Sequence, residues 1–413
     1  MKQTFTPKRA GGSVAAISSK SFLHRALICA ALAEGRTELR CHGFGDDVLA
    51  TADCLRALGA NIEQTADGFT VTGGISAKTA TLPCRSSAAT LRFLLPVAAA
   101  CGVSADFACS AQLRQRPIAP LCEALSHHGV NIEQTKTGLF CEGQLLAGDY
   151  TIDGSVSSQY LSGLLLALPL LINDSKIMLT DKLASAPYTS LTQSVQSLFG
   201  IKIQNNNSEF YVPCCQSYRT VPSLYAEGDW TNAAPFLCAG AFSKDGVTVT
   251  GLSLNSVQGD RKILDLLARF GVDVLASEDE ITVRSGKLHG IHIDASDLPD
   301  LVPLLALLGT CAEGETVITG AGRLRAKESD RLQTTADTLN ALGASVTVTK
   351  EGLRISGTGK LHGGTVSSFG DHRIAMLAAV ASLACTQSVT LDGGEAVSKS
   401  YPDFFNDFSM ICR

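Results

Sequence analysis

Charged residues that could transfer protons stand close together in the stretch RAKESDRL, residues 325–332. Glu328 and Arg331 are three residues apart and Lys327 and Arg331 are four apart. At this spacing the three side chains share one side if a helical turn begins early. A lysine beside a glutamate and near an arginine can form an acid/base pair with shifted pKa values. The stretch therefore predicts general acid/base chemistry.

A second stretch, GDHR at residues 370–373, puts a histidine and an arginine at the entrance to an apolar segment. Burying His372 and Arg373 there without a role would cost free energy. A site role and a purely structural role explain His372 equally well. Five further cations stand beside apolar or turn-like segments, and each of them alone is also explained as a solvated surface charge: Lys20, Arg25, Arg92, Arg116 and Lys399.

Six short segments of small, hydroxylated or charged residues stand directly before apolar segments. They are SSKS (18–21), CRSSAAT (84–90), DGSVSSQ (153–159), GDWTN (228–232), DLPD (297–300) and FGDHR (369–373). The start of a helix exposes N–H groups and the positive end of the helix dipole, which bind phosphate or carboxylate. Ordinary helix capping explains any one of these segments alone. Six of them in equivalent places favour an anion-binding enzyme site.

A repeat along the chain positions these segments. An amphipathic stretch, a glycine and an alternating strand-like run recur five times, and the glycines are 70, 71, 71 and 72 residues apart: Gly59, Gly129, Gly200, Gly271 and Gly343. The C-terminal YPDFFNDFSMICR is typical of a sixth amphipathic helix, and the N-terminal MKQTFTPKR is free to supply missing strands. We therefore predict six similar units, the last of which is closed by the N-terminus.

Each unit also contains a helix that is apolar nearly all round, such as LVPLLALLGTC. Helices without a polar face belong inside a domain, so the amphipathic helices and the sheets must lie outside. Three units per domain divide six evenly. We expect one domain at residues 19–226 and a second at residues 1–18 and 227–413, closed by the N-terminal segment, with the crossing near residues 221–230.

Composition narrows the function classes. With 413 residues, 45% of them apolar, the chain has the size of an enzyme, and its net charge of −5 gives no reason to expect nucleic acid or membrane as a partner. There is no apolar signal core, and the 14 cysteines include no C-x-x-C, which indicates reduced thiols in the cytoplasm. No dinucleotide, P-loop or metal motif is present, so we expect no metal and no organic cofactor.

Taken together, the motifs resemble one family. SSKSFLHRALICAALAEG, TLRFLLP, QRPIAPL, DGSVSSQYLSGLL, ASAPYTSLT, NSVQGD, LPDLVPLLA, AKESDRL, GDHRIAM and SKSYPDFF look like the 5-enolpyruvylshikimate-3-phosphate synthase family and occur in its order from residue 18 to about 405. The resemblance implies an inside-out α/β barrel pair built from six βαβαββ units. It also implies transfer of the enolpyruvyl group of phosphoenolpyruvate to the 5-hydroxyl of shikimate 3-phosphate, in the shikimate pathway.

The resemblance further implies roles for individual residues. Shikimate 3-phosphate would be bound by Lys20, Ser21, Arg25, Ser157, Ser158, Gln159, Ser185 and Tyr188. Phosphoenolpyruvate would be held by Arg116, Arg331, Arg373 and Lys399, and reached by Lys20. Asp300 would accept the proton of the 5-hydroxyl, and Glu328 and Lys327 would handle proton transfer at the methylene carbon and the leaving phosphate. Two multiply charged anions must be held together, which requires a strongly cationic site.

One loop departs from the family pattern. Residues 85–89 read RSSAA, so Ala88 stands where the family usually has a glycine that lets the backbone approach phosphoenolpyruvate. The added methyl group is expected to narrow that pocket. Ala89 replaces a hydroxyl residue, and Arg323 occupies a position where some relatives have asparagine.

Two alternatives stay open. A related transferase that acts on UDP-N-acetylglucosamine has Lys-Asn in its first motif and a loop cysteine near the position of Arg116. In this chain the first motif has Lys20 and Ser21, and Cys109 is the only thiol near the loop. A non-catalytic repeat protein that binds an anion is the other alternative. We expect a monomer that binds two small-molecule substrates and neither nucleic acid nor membrane.

Overall fold

The computed structural model describes residues 1–206, 208–278 and 280–412. They form two compact units. The first unit is Ser18–Ala226, and the second unit is Met1–Ile17 together with Glu227–Arg413. Within the described ranges, every helix is too short or too polar to cross a membrane.

The helices and strands follow the predicted repeat. The chain begins with β1 (Lys2–Phe5) and β2 (Gly12–Ala15), both in the second unit. The first unit then contains α1 (Lys20–Leu32), β3 (Arg36–Arg40), α2 (Asp46–Ala57), β4 (Asn61–Thr65), β5 (Gly68–Thr72), β6 (Thr79–Arg85), α3 (Ala88–Ala100), β7 (Ser104–Cys109), α4 (Ala111–Arg114), α5 (Ala119–Ser126), β8 (Asn131–Gln134), β9 (Gly138–Glu142), β10 (Asp149–Ile152), α6 (Ser158–Ala167), β11 (Ser175–Leu179), α7 (Ala186–Leu198), β12 (Gln204–Asn205), β13 (Glu209–Val212) and β14 (Ser223–Tyr225).

The second unit repeats the same order of elements. It contains α8 (Trp230–Gly240), β15 (Val247–Thr250), α9 (Ile263–Phe270), β16 (Asp273–Ala276), β17 (Glu280–Arg284), β18 (His292–Asp294), α10 (Val302–Cys311), β19 (Glu315–Thr319), α11 (Arg331–Ala341), β20 (Ser345–Val348), β21 (Leu353–Ser356), β22 (Gly364–Ser367), α12 (His372–Ala381), β23 (Val389–Asp392) and α13 (Phe404–Ile411). Short 3-10 turns at Gly259–Lys262, Gly322–Ala326 and Gly394–Lys399 precede α9, α11 and α13.

The described residues form six sheets, one for each repeat. In the complete pattern two parallel strands are followed by an antiparallel hairpin, as in the order β6-β7-β9-β8. Two sheets take an edge strand from a distant part of the same unit: β14, at the end of the first unit, pairs in parallel with β3, and β2, near the N-terminus, pairs in parallel with β15. As predicted, the N-terminus closes the last repeat, because β1 pairs antiparallel with β23.

The spaced glycines end the amphipathic helices. All five have positive φ angles, for example 111° at Gly59 and 92° at Gly271, a conformation that strains a residue with a side chain. A Cβ atom at Gly271 would also lie 2.4 Å from the carbonyl oxygen of Lys287. The predicted repeat spacing is therefore the spacing of helix C-termini.

The apolar helices are the buried ones, as predicted. In the first unit α1, α3 and α6 lie in one core with the inner faces of the sheets, and in the second unit α8, α10 and α12 do the same. This is the inside-out α/β arrangement, in which helices fill the centre and sheets form the wall. Because apolar side chains fill the core along each central helix, polar residues can be presented at the helix starts, where several of the candidate residues lie.

Candidate active site

Five of the six segments before the central helices supply side-chain caps. The capping side chains accept hydrogen bonds from backbone N–H groups of the first turn: Ser19, Ser87, Ser157, Asp229 and Asp371. Ordinary capping therefore accounts for these five side chains. The sixth helix, α10, begins after Leu301, which makes no such bond, and the carboxylate of Asp300 just before it has other partners.

Asp300 lies among three cations of the second unit. Its Oδ1 is 2.7 Å from Nη1 of Arg331 and 3.7 Å from Nζ of Lys327. Its Oδ2 is 3.6 Å from Nη2 of Arg373. Burial raises the pKa of Asp300, but the three positive charges outweigh it and hold the pKa well below its usual range. Asp300 is therefore ionised at neutral pH.

Arg331 connects three carboxylates. It is the first residue of α11 and is 1% exposed. Besides Asp300, its Nε donates to Oδ2 of Asp371 at 2.9 Å and its Nη2 donates to Oε2 of Glu328 at 2.8 Å. Burial alone would lower the pKa of Arg331, but the three carboxylates raise it above the usual value.

One further cation, Lys399, and the other contacts of Arg373 complete this group. Nζ of Lys399 is 3.9 Å from Oε1 of Glu328. Nη1 of Arg373 donates to Oδ1 of Asn232 at 2.9 Å, and the same oxygen accepts from Ser400 at 3.2 Å. The structure thus brings together all six predicted site residues of the second unit: Asp300, Lys327, Glu328, Arg331, Arg373 and Lys399.

The helical turn that would place Lys327, Glu328 and Arg331 on one side does not begin early. Lys327 follows the 3-10 turn Gly322–Ala326, and α11 starts only at Arg331. Asp330 caps this helix by accepting from N–H of Gln333 at 3.1 Å. A capping aspartate followed three residues later by glutamine is a recognisable start signal, and it places the helix start at Asp330.

Sequence analysis missed two carboxylates of the second unit. Asp371 accepts from Arg331 and from the backbone N–H of Arg373 at 2.9 Å, so it fixes both arginines. Its only signal was its place at the start of α12. Asp260 is buried and accepts a hydrogen bond from Thr231. Burial, followed by the negative charge of Asp300, raises the pKa of Asp260 to about 7. His372 is also buried, 3.7 Å from Asp371.

Arg25 is the buried cation of the first unit. Its Nε donates to Oγ1 of Thr192 at 2.7 Å, and its Nη1 donates to the carbonyl oxygen of Ser21 at 2.7 Å. Its Nη2 donates to the carbonyl oxygen of Tyr188 at 3.0 Å and to Ser162 at 3.3 Å. All four acceptors are neutral. Burial lowers the pKa of Arg25 to about 10. The structure thus brings Ser21, Arg25 and Tyr188 together.

Arg92 orients the polar residues near the start of α6. Its Nη1 donates to Oε1 of Gln159 at 2.8 Å, and its Nη2 donates to the carbonyl oxygen of Pro117 at 2.6 Å. Pro117 directly follows Arg116, so Arg92 ties the predicted residue Gln159 to the segment next to Arg116. Sequence analysis noted Arg92 as a cation but gave it no site role.

The other predicted residues of the first unit lie at helix starts. Lys20 begins α1, and its Nζ is 3.0 Å from Oδ2 of Asp47. Ser158 begins α6 after its cap Ser157. Ser185 precedes α7 with a left-handed φ of 56°. Ala88 begins α3 and is 4% exposed, within the apolar core.

Metal binding finds no support in the described ranges, where no group of three His, Cys, Asp or Glu side chains could hold an ion. Arg323, whose position departs from some relatives, donates through Nη2 to the carbonyl oxygen of Ser296 at 2.5 Å. It therefore ties the turn Gly322–Ala326 to the segment before Asp300.

Comparison with known proteins gives consistent matches over nearly the whole chain. The family model for EPSP synthase (3-phosphoshikimate 1-carboxyvinyltransferase) matches residues 5–408. A 3-phosphoshikimate 1-carboxyvinyltransferase from Clostridium kluyveri is 39% identical, with 99% of this chain and 96% of the relative covered. One from Clostridium perfringens is 37% identical, with 99% and 98% covered.

Solved structures agree. EPSP synthase from Acinetobacter baumannii superposes with a TM-score of 0.82 at 26% identity, covering 100% of this chain and 98% of that one. The enolpyruvyl transferase NikO from Streptomyces tendae has the same fold, with a TM-score of 0.82 at 22% identity over 99% and 96% of the two chains. By its sequence and by the fold of both units, the chain belongs to the EPSP synthase family.

Proposed function

We propose that this protein transfers the enolpyruvyl group of phosphoenolpyruvate to the 5-hydroxyl of shikimate 3-phosphate and releases phosphate. This is the enolpyruvyl transfer step of the shikimate pathway, which leads to the aromatic amino acids. Membership of the family supports the reaction. The observation that carries the proposal is the position of Asp300, an ionised carboxylate within 4 Å of three cations.

Shikimate 3-phosphate is assigned to the first unit. Arg25 holds its positive charge against neutral oxygens only, so the charge is not cancelled locally and attracts a phosphate. Ser21 and Tyr188 contact Arg25 through their carbonyl oxygens, so both residues lie beside the cation to which the phosphate is assigned. The remaining assigned residues are Lys20, Ser157, Ser158, Gln159 and Ser185.

Phosphoenolpyruvate is assigned to Arg116, Arg331, Arg373 and Lys399, with Lys20 and the backbone at Ala88. Arg331 has five N–H groups. Four of them donate to Asp300, Glu328 and Asp371. A substrate carboxylate therefore uses the remaining N–H group of Arg331 or displaces one of these carboxylates.

Proton transfer is assigned to the second unit. The 5-oxygen of shikimate 3-phosphate bonds to C2 of phosphoenolpyruvate while its proton passes to Asp300, and C3 takes up a proton from the Glu328 and Lys327 pair. The tetrahedral adduct then loses phosphate as C3 returns a proton. Two separate groups are needed because one substrate loses a proton while the other gains one. Asp300 and Glu328 are both bound to Arg331, which fixes their separation.

We further propose that the two three-repeat domains of this enzyme are residues 19–226 and residues 1–18 with 227–413, and that it acts as a cytoplasmic monomer. Sedimentation velocity at several protein concentrations tests the monomer. A sedimentation coefficient that rises with concentration would contradict it.

A phosphate-release assay tests the reaction. Phosphoenolpyruvate is supplied with shikimate 3-phosphate, with UDP-N-acetylglucosamine, or with no acceptor. We expect phosphate release only with shikimate 3-phosphate, together with a product that carries the enolpyruvyl group in its mass spectrum. Release with the sugar nucleotide instead would assign the other transferase activity. Binding of shikimate 3-phosphate without any release would show an anion-binding protein and would contradict the proposal.

A further inference from the structure

Asn232 is a buried amide in the first turn of α8. Its backbone N–H donates to Oδ1 of the capping residue Asp229 at 2.8 Å, so the cap involves the backbone of Asn232 and not its side chain. The residue is 0% exposed, and burying an amide costs free energy unless the amide is hydrogen-bonded. The hydrogen bonds of this side chain therefore indicate its use.

The amide oxygen of Asn232 accepts hydrogen bonds from two residues that are distant along the chain. Nη1 of Arg373, in the first turn of α12, donates to this oxygen at 2.9 Å. The hydroxyl group of Ser400 donates to it at 3.2 Å. Ser400 directly follows Lys399, the last residue of the turn Gly394–Lys399. One oxygen atom thus joins Arg373 to the segment that contains Lys399.

The amide nitrogen of Asn232 is not used in the same way. Nδ2 is buried and has no hydrogen-bond partner among the described residues. Exchanging the oxygen and the nitrogen would turn the amide N–H groups towards Nη1 of Arg373, which can only donate, so the arginine fixes the orientation of the amide. A side chain that only filled space would not require a buried polar nitrogen. Asn232 is therefore suited to holding the two donors.

Asn232 holds Arg373 without adding a negative charge. Nη1 of Arg373 is bound to this neutral oxygen, and its Nη2 is 3.6 Å from Oδ2 of Asp300. That distance is longer than each hydrogen bond between Arg331 and its three carboxylates. The guanidinium of Arg373 is therefore oriented by a neutral group and can still attract a substrate anion.

We propose that Asn232 is a positioning residue for phosphoenolpyruvate, which acts through Arg373 and links it to the segment of Lys399. This inference rests on the proposed function, because both cations are assigned to phosphoenolpyruvate there. Without the amide oxygen, the guanidinium of Arg373 can turn towards Asp300, and Ser400 loses its acceptor. A misplacement of about 1 Å in such a group can lower activity by roughly 100-fold.

Asn232→Leu tests the proposal, because leucine has a similar shape and no atom that accepts a hydrogen bond. Phosphate release is measured while each substrate is varied in turn. We expect the KM for phosphoenolpyruvate to rise by at least about tenfold, whereas kcat and the KM for shikimate 3-phosphate change by less than about threefold. A normal KM for phosphoenolpyruvate, or an equal rise in both KM values, would overturn the proposal.

Thr310→Val is the matched control. Thr310 is also a 0% exposed polar residue of a central helix in the second unit, and its hydroxyl donates to the carbonyl oxygen of Ala306 at 3.0 Å. We expect both KM values of this variant to be normal. A rise in the KM for phosphoenolpyruvate equal to that of Asn232→Leu would show that any buried polar change in this core has the effect, and would overturn the proposal.

A double-mutant cycle tests the route through Arg373. In an Arg373→Ala background, Asn232→Leu should lower kcat/KM for phosphoenolpyruvate by less than about threefold, because the group that it positions is already absent. A further tenfold loss in that background would show that Asn232 acts independently of Arg373. Ser400→Ala leaves Asn232 in place and serves if Asn232→Leu does not fold. It should raise the KM for phosphoenolpyruvate by about two- to fivefold, and a normal value would overturn the link.

Calorimetric titration with phosphoenolpyruvate alone separates this inference from the proposed reaction, because binding requires no turnover. We expect Asn232→Leu to bind phosphoenolpyruvate about tenfold more weakly than the unchanged protein. Equal binding by the two proteins would overturn the role of Asn232 and leave the reaction standing. Weaker binding by the variant, with no phosphate release by the unchanged protein, would support Asn232 and contradict the reaction. An unchanged protein that does not bind phosphoenolpyruvate would contradict both.

Discussion

Arg25 of the first unit and Arg331 of the second are both buried arginines, with 2% and 1% of their surface exposed. Their partners differ. Arg25 donates to two hydroxyl groups and two backbone carbonyls, and burial lowers its pKa to about 10. Arg331 donates to three carboxylates, which raise its pKa despite burial.

The difference separates two uses of a buried cation. A guanidinium held by neutral oxygens keeps its field, so it can attract an anionic ligand at the cost of its own desolvation. A guanidinium surrounded by carboxylates has its charge cancelled, and its main effect is to orient those carboxylates. In the proposed function, Arg25 is therefore suited to binding the phosphate of shikimate 3-phosphate, whereas Arg331 mainly places the acid and base groups and offers phosphoenolpyruvate one remaining N–H group.

The sharpest test of this division is Asp300→Asn. The amide keeps the shape of the side chain but cannot accept the proton, so we expect turnover to fall by roughly 10²–10⁴. Affinity for shikimate 3-phosphate should change little, because the residues assigned to bind its phosphate are in the first unit. Turnover and binding are measured by phosphate release and calorimetry.

Asp297→Asn is the matched control for that variant. Asp297 lies three residues earlier, is partly exposed and pairs with Lys262 at 3.7 Å. We expect near-normal turnover for this variant. Near-normal turnover of Asp300→Asn would remove Asp300 as the base, and a loss of equal size in both variants would point to a general disturbance of the segment.

The free energy of unfolding should also distinguish the two arginines. Arg331→Met leaves three carboxylates without their cation and should lower the free energy of unfolding by about 3–5 kcal/mol. Arg25→Met leaves only neutral acceptors unpaired and should lower it by about 1–3 kcal/mol. Urea unfolding at pH 7 measures both, and equal losses would contradict the distinction between the two sites.

The pH dependence of Arg331→Met sharpens this test. Removal of the guanidinium takes one of three positive charges from beside Asp300, so the lowered folded-state pKa of Asp300 should rise towards the unfolded value of roughly 4. A lowered carboxyl pKa stabilises the folded state above the unfolded pKa, and this stability is lost as the pH falls through the folded-state pKa. The difference in stability between Arg331→Met and the unchanged protein should therefore shrink as the pH falls below about 4. The corresponding difference for Arg25→Met has no such carboxylates and should change less.

Local features of the sequence predicted the fold well. The glycines at helix ends and the apolar helices are signals within one repeat, and their recurrence at nearly equal spacing makes chance agreement improbable. The charge spacing alone left open whether Lys327 and Glu328 lie on a helix, because a spacing of three or four residues fits a turn as well as a helix. The capping pair Asp330 and Gln333 indicates where α11 begins.

The partners of the site residues could not be predicted in the same way. Asp371 binds Arg331 across 40 residues of sequence, and Asn232 binds Arg373 across 141. The repeat relates Asn232 and Arg373 as equivalent positions two units apart, but it does not show that they touch, and no periodicity connects Asp371 with Arg331. These residues meet because the starts of α8, α11 and α12 lie close together in one unit. The resemblance to a family supplied the candidate ligand-binding residues. The ion pairs that these residues form with one another could be seen only in the structure.

A third prediction compares two carboxylates of the second unit. Asp300 has a lowered pKa, whereas the pKa of Asp260 is raised to about 7. Asp260 is therefore protonated in the folded state at pH 5, and its ionisation opposes folding increasingly from the unfolded pKa of roughly 4 up to about 7. Asp260→Asn removes this destabilising contribution of Asp260 ionisation.

The variant should accordingly gain stability relative to the unchanged protein as the pH rises from 4 to 7, by roughly 1–3 kcal/mol. Urea unfolding across this range is the measurement. The hydroxyl of Thr231 can still donate to the amide oxygen of the introduced asparagine, so the hydrogen bond is kept in form. Parallel stability curves for the two proteins would show that Asp260 is ionised at pH 5 and has an ordinary pKa.

The smallest effect is expected at Ala88, where the first unit departs from the family pattern. Ala88 is 4% exposed at the first position of α3, so its methyl group offers a ligand only a small contact. If that contact narrows the phosphoenolpyruvate pocket, a bulkier mimic such as glyphosate is excluded more than the substrate. Ala88→Gly should then increase glyphosate inhibition about fivefold, equivalent to about 1 kcal/mol. Ala89→Gly, one residue further along the same helix turn, is the control for loss of helix stability and should leave inhibition unchanged. Inhibition curves at matched phosphoenolpyruvate saturation decide the matter, and curves that coincide for Ala88→Gly and the unchanged protein would remove Ala88 as a determinant.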